Sequence, residues 1–233
     1  MPRMEPRPHR GTGRNTAPLE VAPKPRLCRQ VSTAPKALAQ LLREIRACRI
    51  CEPYLPHGVR PIIHAGAESK ICIVAQAPGI RVHETGISFN DPSGDRLREW
   101  MGIGRDQFYD DKLVSIIGMG FCFPGWDKNG GDLPPRKECA PAWQDRLFAV
   151  LPRFDLTLLV GSYAIDWHLK DKAKANVSET VKAWREYTPR IIPLPHPSWR
   201  NNAWLAKNPW FKAELLPYLR RRVKKAVAPV KRA

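Results

Sequence analysis

Four short apolar runs, at residues 71–77, 113–121, 156–160 and 191–194, constrain this chain more than any other feature. Three of them are rich in β-branched residues, as strands covered on both faces are. Between them lie stretches with helical periodicity at 94–101, 140–151 and 178–187. Strands alternating with helices imply right-handed crossovers onto a parallel sheet. The expected fold is therefore α/β, a three-layer α/β/α arrangement around a mostly parallel four-stranded sheet. Ahead of it, Leu38, Leu41, Leu42 and Ile45 recur at helical spacing, and behind it 202–225 reads as a helix interrupted near Pro209 and Pro217. In such sheets ligands bind beyond the carboxyl ends of the strands, so the loops after the first, second and last runs are where chemistry is expected.

Charge is unevenly spread over the 233 residues. The chain carries 39 basic and 22 acidic side chains, a formal +17. Residues 1–36 hold 8 basic and 2 acidic side chains, and 220–233 hold 7 basic and no acidic ones; 24 basic and 20 acidic remain in 37–219, a net +4. A mildly basic domain with two strongly basic ends favours a polyanionic partner over a small acidic metabolite, although such ends also promote solubility whatever the function. Residues 1–35 are rich in Pro and Arg and lack apolar periodicity, so a disordered tail is expected there. The folded domain is expected over 36–219 and a second basic tail over 220–233. No apolar run approaches the ~20 residues that span a bilayer, and the first residues lack a secretory signal. A cytoplasmic monomer without membrane contact is expected, nucleoid-associated if the cell is bacterial.

Six cysteines in such a chain read as thiols or metal ligands rather than disulfides. Cys48 and Cys51 form a C-x2-C pair, and Cys122 and Cys139 follow with sixteen residues between them. Two intervening residues let both thiolates turn toward one metal, and the later pair closes a loop onto it. The set fits either a [4Fe-4S] cluster or an all-cysteine zinc site. The 123–138 loop, polar and rich in Gly and Pro, would be poorly ordered without such a staple. Cys72 lies inside an apolar run and reads as a small core residue. Cys28 carries no structural signal.

The first apolar run ends in Ala75-Gln76-Ala77-Pro78-Gly79, followed by a stretch holding His83, Glu84, Phe89, Asn90 and Asp91. The last is followed by Pro195-His196-Pro197-Ser198-Trp199-Arg200. With the four cysteines, these motifs resemble the uracil-DNA glycosylase superfamily, in particular its iron-sulfur branch. That branch has G-E-A-P-G after the first strand, an acidic stretch and G-x-P-F, then H-P-S after the last strand, and two cysteine pairs at similar spacing. Counterparts occur here in the same order over roughly residues 40–220. Three separated motifs matched jointly are far more specific than any one alone.

The resemblance implies a DNA glycosylase that flips a damaged base from single- or double-stranded DNA and hydrolyses its bond to deoxyribose, initiating base excision repair. Breaking that bond leaves negative charge on the base and an oxocarbenium-like sugar. The site then needs a donor at the base carbonyl and a carboxylate or polarised water near the sugar. On the family pattern His196 is the donor, Phe89 stacks on the base, and Gln76, Ala77, Pro78 and Gly79 line its pocket. Pro197, Ser198, Trp199 and Arg200 grip the phosphates and wedge into the vacated stack. Cys48, Cys51, Cys122 and Cys139 hold a [4Fe-4S] cluster, with structural zinc the alternative.

Two departures from the pattern matter. Gln76 stands where the branch has Glu, and Ala77 where the best-known uracil enzymes have Asp, so the water-orienting group must come from elsewhere. Glu84, Asp91 and His83 are the candidates. Gly118 stands where the family has the Asn that reads the base edge, a loss of about 1–3 kcal/mol of discrimination by analogy with base readout; Asn90 substitutes only if its loop folds inward. Specificity is then relaxed or shifted among uracil and related deaminated bases. Two other readings compete: a catalytically weakened DNA-binding module, and a hydrolase using Ser198 with His196, whose adjacency on one turn makes their hydrogen bond awkward.

Overall fold

Four strands, β1 (Ile71–Ala75), β2 (Val114–Gly118), β3 (Leu156–Val160) and β4 (Ile191–Leu194), form one sheet in the computed structural model, which describes residues 34–228. Their order is β2-β1-β3-β4 and every pairing is parallel, with Ile73 opposite Ile116 on one side and Leu158 on the other. All five residues of β1 are buried, as a central strand covered on both faces requires. β4 is an edge strand, which is why Pro193 is tolerated within it.

The helices are α1 (Ala34–Arg46), α2 (Ile80–Thr85), α3 (Pro92–Met101), α4 (Arg105–Tyr109), α5 (Cys139–Val150), α6 (Ser162–Leu169), α7 (Val177–Lys182), α8 (Asn202–Lys207) and α9 (Leu216–Val227). From β1 the chain steps to β2 on one side, then crosses back over β1 to β3. Right-handed crossovers in opposite directions place α3 and α4 on one face and α5 on the other. α9 packs on α3 and β3, α1 packs on α5, and α6 contacts β1 and β3, completing the three layers. The sheet is thus wholly parallel, as its β-branched runs suggest.

Two boundaries differ from the sequence reading. The runs at 71–77 and 113–121 overshoot β1 and β2, because beyond Gly118 the chain turns into a loop whose Met119 and Phe121 are still buried in the core. Of the basic tail expected over 220–233, residues 220–227 belong to the body of α9, helical as expected but packed on the core, and 229–233 lie outside the described residues. Leu219, Val223 and Ala226 of this helix are buried, and Arg220 Nη2 donates to Glu99 O at 3.0 Å. Basic residues at 220–225 hide an apolar stripe that reaches the core from one side of the helix. Pro217 does not break the helical run, lying just after the π-helical turn Phe211–Leu215; the interruption lies between α8 and that turn. The N-terminal tail expected over 1–35 lies outside the described residues except for its last two positions, which begin α1.

Replacing Val223 by Ala should cost about 2 kcal/mol in urea denaturation, from two lost methylenes and the space they leave. Replacing the neighbouring exposed Lys224 by Ala should stay within about 0.5 kcal/mol. Equal effects would show that α9 is not packed as described.

Candidate active site

At the carboxyl ends of β1, β2 and β4 the loops enclose a cavity of about 450 Å³. Gln76, Ala77, Pro78 and Gly79 form one wall. The backbone holds that wall in place: Met119 N donates to Ala75 O at 2.7 Å and Gly120 N to Gln76 O at 2.9 Å, extending the β1–β2 ladder past both strands.

Phe89 reaches the cavity in a left-handed backbone conformation, φ +55°, a costly state for an aromatic residue. Three contacts maintain it. The Phe89 carbonyl accepts from Arg98 Nη1 at 3.3 Å, and the carbonyl of Ser88 accepts from the Tyr109 hydroxyl at 2.8 Å. The Phe89 ring meets Phe108 edge to face, centroids 6.2 Å apart. Arg98 is itself buried, paired with Asp95 at 2.6 Å and lying 5.1 Å from the Phe108 centroid. Gly94 completes the arrangement: a Cβ there would stand 1.7 Å from the Phe89 carbonyl oxygen. Asp91 also lines the cavity, with one oxygen accepting from Gly94 N at 2.8 Å as the N-cap of α3.

His196 follows β4. Its Cβ packs 3.7 Å from the position of a Cβ on Gly161, whose φ of +83° lets the chain turn tightly after β3. Its carbonyl accepts from Asn201 Nδ2 at 2.7 Å. Burial holds the imidazole below its ordinary range, Asp91 pulls it back up and Arg200 pushes it down. At neutral pH the ring is therefore uncharged, with one N–H still able to donate. Ser198 Oγ accepts from Arg200 N at 3.2 Å and its carbonyl accepts from Arg96 Nη1 at 3.0 Å. This serine caps the turn and its backbone is fastened to α3, and among the described residues no hydrogen bond joins its hydroxyl to His196. Trp199 is 71% exposed, with the Arg200 guanidinium 5.6 Å from its ring centroid.

Gly118 and Gly120 form the floor. A Cβ on Gly118 would stand 2.3 Å from the Gly120 carbonyl oxygen, so this backbone admits no side chain at 118. The Gly118 carbonyl is taken by Gln144 Nε2 at 2.7 Å.

Not every expected residue reaches the cavity. Glu84 is exposed, with its carbonyl held by Arg60 Nη1 at 2.8 Å, and His83 packs its ring 6.1 Å from Phe123; neither lines the site. Both lie on the helical turn of α2, which presents Val82 to the cavity instead. Asn90 accepts from Arg105 Nη2 at 3.0 Å, outside the lining, so it does not stand in for a base-edge reader. Pro197 is buried beneath the turn rather than on its surface. A residue the sequence reading passed over, Asp132, does line the cavity.

Cys48, Cys51, Cys122 and Cys139 line a second, small cavity beside Arg136. Burial raises the Cys122 thiol to about 11 and that of Cys139 to about 12, with the other cysteines adding to both shifts. Among the described residues no three His, Cys, Asp or Glu side chains form a group that could hold a metal ion. Cys72 is fully buried in β1, where its thiol is a core residue.

The family model for the uracil DNA glycosylase superfamily matches residues 63–220. Among solved structures, wild-type SMUG2 from Pedobacter heparinus is similar over 68% of this chain and 74% of its own, at 15% identity and a TM-score of 0.35.

In a proton NMR titration His196 should show a midpoint below the ordinary 6.5 or so. Asp91→Asn should lower that midpoint further and Arg200→Ala should raise it; shifts of opposite sign would contradict the charges placed around the ring. Gly94→Ala should destabilise the fold by about 1–3 kcal/mol in urea denaturation, since the Phe89 carbonyl must move to admit the methyl.

Proposed function

The chain belongs to the uracil DNA glycosylase superfamily, and from that premise we propose that it is a DNA glycosylase hydrolysing the N-glycosidic bond of uracil or a related deaminated base. The observation that carries this reading is the convergence of three separate loops, bearing Gln76, Phe89 with Asp91, and His196, on one cavity at the sheet's carboxyl edge. A flipped base would stack on Phe89, with Gln76 and the backbone of 77–79 along its edge. As the C1′–N bond lengthens, charge flows onto the base carbonyl, and the N–H of a neutral His196 stabilises it. An uncharged donor suits this role, because a neutral ring persists at neutral pH and no proton need be lost first. Asp91 supplies negative charge opposite the developing sugar cation. No lysine is among the described lining residues, which supports water rather than a side-chain amine as the attacking group and hence a monofunctional enzyme.

DNA is the proposed partner, single- or double-stranded. The exposed Trp199 with Arg200 forms the wedge and phosphate grip on this reading. The side-chain-free floor at Gly118 and Gly120 supports relaxed discrimination among bases. The same feature favours the second reading, a DNA-binding module with weakened catalysis.

The proposal extends to a cofactor. Four thiols lining one cavity are the donor set of a [4Fe-4S] cluster, with an all-cysteine zinc site the alternative. Such a cluster would supply a structural tie here. Cys48 and Cys51 would anchor the end of α1, and Cys122 and Cys139 the two ends of the loop that carries Asp132.

Purified protein incubated with oligonucleotides containing uracil, hypoxanthine, xanthine or a thymine mismatch, then treated with alkali, should give strand scission at one or more bases. His196→Ala should lower the rate by about 10²-fold or more while retaining DNA binding. Salt-sensitive binding without base release on any substrate would select the binding module. Anaerobically purified protein should show broad visible absorbance that is lost in Cys122→Ala; colourless protein with stoichiometric zinc would refute the cluster.

A further inference from the structure

This inference rests on the glycosylase reading and concerns a residue that neither the sequence motifs nor the family match assigns. The wall of the cavity after β1 offers no carboxylate of its own, since it consists of Gln76, Ala77, Pro78 and Gly79. A carboxylate is nevertheless found against that wall. Asp132 Oδ2 lies 3.2 Å from the point where a Cβ on Gly79 would stand, so the acid sits close against the bare backbone there.

Asp132 is presented by an ordered turn rather than a loose loop. Trp126 and Asp132 form an antiparallel bridge, and Leu133 N donates to Gly125 O at 2.9 Å. Inside the turn, Asp127 Oδ1 accepts from Asn129 N at 2.7 Å and from Gly131 N at 2.9 Å. The two carboxylates lining the cavity are thus differently employed. Asp91 holds Gly94 N as a helix cap, whereas Asp132 is subject to burial and to the fields of Arg200, Asp91 and Asp127, with no hydrogen bond to its carboxylate among the described residues.

We propose that Asp132 is a further catalytic residue of this site, the carboxylate that takes the proton of the attacking water and faces the cationic sugar. The water oxygen bonds to C1′ as the C1′–N bond breaks, and that bond's electron pair leaves with the base. The water's proton passes to Asp132 and then to solvent. The departing base, its carbonyl held by the His196 N–H, takes a proton from solvent.

The electrostatics fit this role. Partial burial, the largest cause, raises the Asp132 carboxyl above its ordinary value; Arg200 opposes the rise, and Asp91 and Asp127 add to it. A carboxylate that is harder to keep ionised is a better proton acceptor. The charged groups acting on it are Arg200 from the turn after β4, Asp91 from the start of α3 and Asp127 from its own turn; the neutral His196 ring lines the same cavity, to which α2 contributes Val82. A DNA phosphate that engages Arg200 offsets the field that holds the carboxyl down. Because the ionised form is needed, activity rises with pH through this raised value and is lost below it.

The test is single-turnover base release across acid to neutral pH for wild type, Asp132→Asn, Asp132→Glu, Asp91→Asn and His196→Ala, with thermal melting and binding to abasic product DNA alongside. Asp132→Asn should lose about 10²-fold in rate and the acid limb of the profile, with melting and product binding unchanged. Asp132→Glu should keep the limb, and Asp91→Asn should lower the rate but keep it as well. An Asp132→Asn enzyme within about twofold of wild type, or one that retains the acid limb, would overturn the assignment, as would loss of the limb in Asp91→Asn alone. Wild-type protein that releases no base at all would instead overturn the glycosylase reading on which it rests. An active wild type, an inactive His196→Ala and an unaffected Asp132→Asn would remove only the role of Asp132.

Discussion

β1 is hydrogen-bonded on both sides, to β2 from Ile71 through Ala75 and to β3 from Ile71 through Val74, and the place of every functional group follows from that central position. A parallel strand buried on both faces cannot be reached from above or below, so only its carboxyl end is open to a ligand. Because the chain leaves β1 toward β2 and returns on the other side to β3, the loops at that end diverge and leave a crevice between them. The continued pairing of Met119 and Gly120 with Ala75 and Gln76 carries the rigidity of the sheet into the wall of the cavity. The pocket floor is therefore backbone held as firmly as the core beneath it.

Within that crevice, close backbone approach sets the geometry more than side-chain choice does. Phe89 is kept in a left-handed conformation by Arg98, Tyr109 and the close passage of Gly94. Gly79 admits Asp132, and Gly118 lies so close to Gly120 that no base-reading side chain fits there. These glycines act through the space that a Cβ would occupy. The same crowding means that an Asn at 118 would need the backbone between 118 and 120 to move.

Electrostatically the cavity is a small field of opposed charges, with Arg200 set against Asp91, Asp127 and Asp132 around a neutral His196. The +17 of the chain resides chiefly at its ends. Its proposed contribution is affinity for DNA and the salt dependence of that affinity. Arg220, Arg221, Arg222, Lys224 and Lys225 are carried on α9, whose other side is core, so those five form a fixed surface rather than a free tail.

The amino-acid sequence by itself determined the four strands, the α/β class, the loops that face the site and the cysteines that share a second cavity. These rest on local signals: apolar runs of β-branched residues, motifs contiguous in the chain, and short fixed spacings. The tertiary structure alone decided which charged groups enter the cavity. Glu84 and His83 sit in the right stretch of sequence, but one helical turn directs Val82 inward in their place. Asp132 sits in a stretch with no motif and reaches Gly79 only because the turn from Trp126 to Asp132 folds over the end of β1. Likewise the buried stripe of α9 is masked by the basic residues between its apolar positions until the helix has a sheet to pack against. Both depend on contacts between segments far apart in the chain, which periodicity and spacing do not encode.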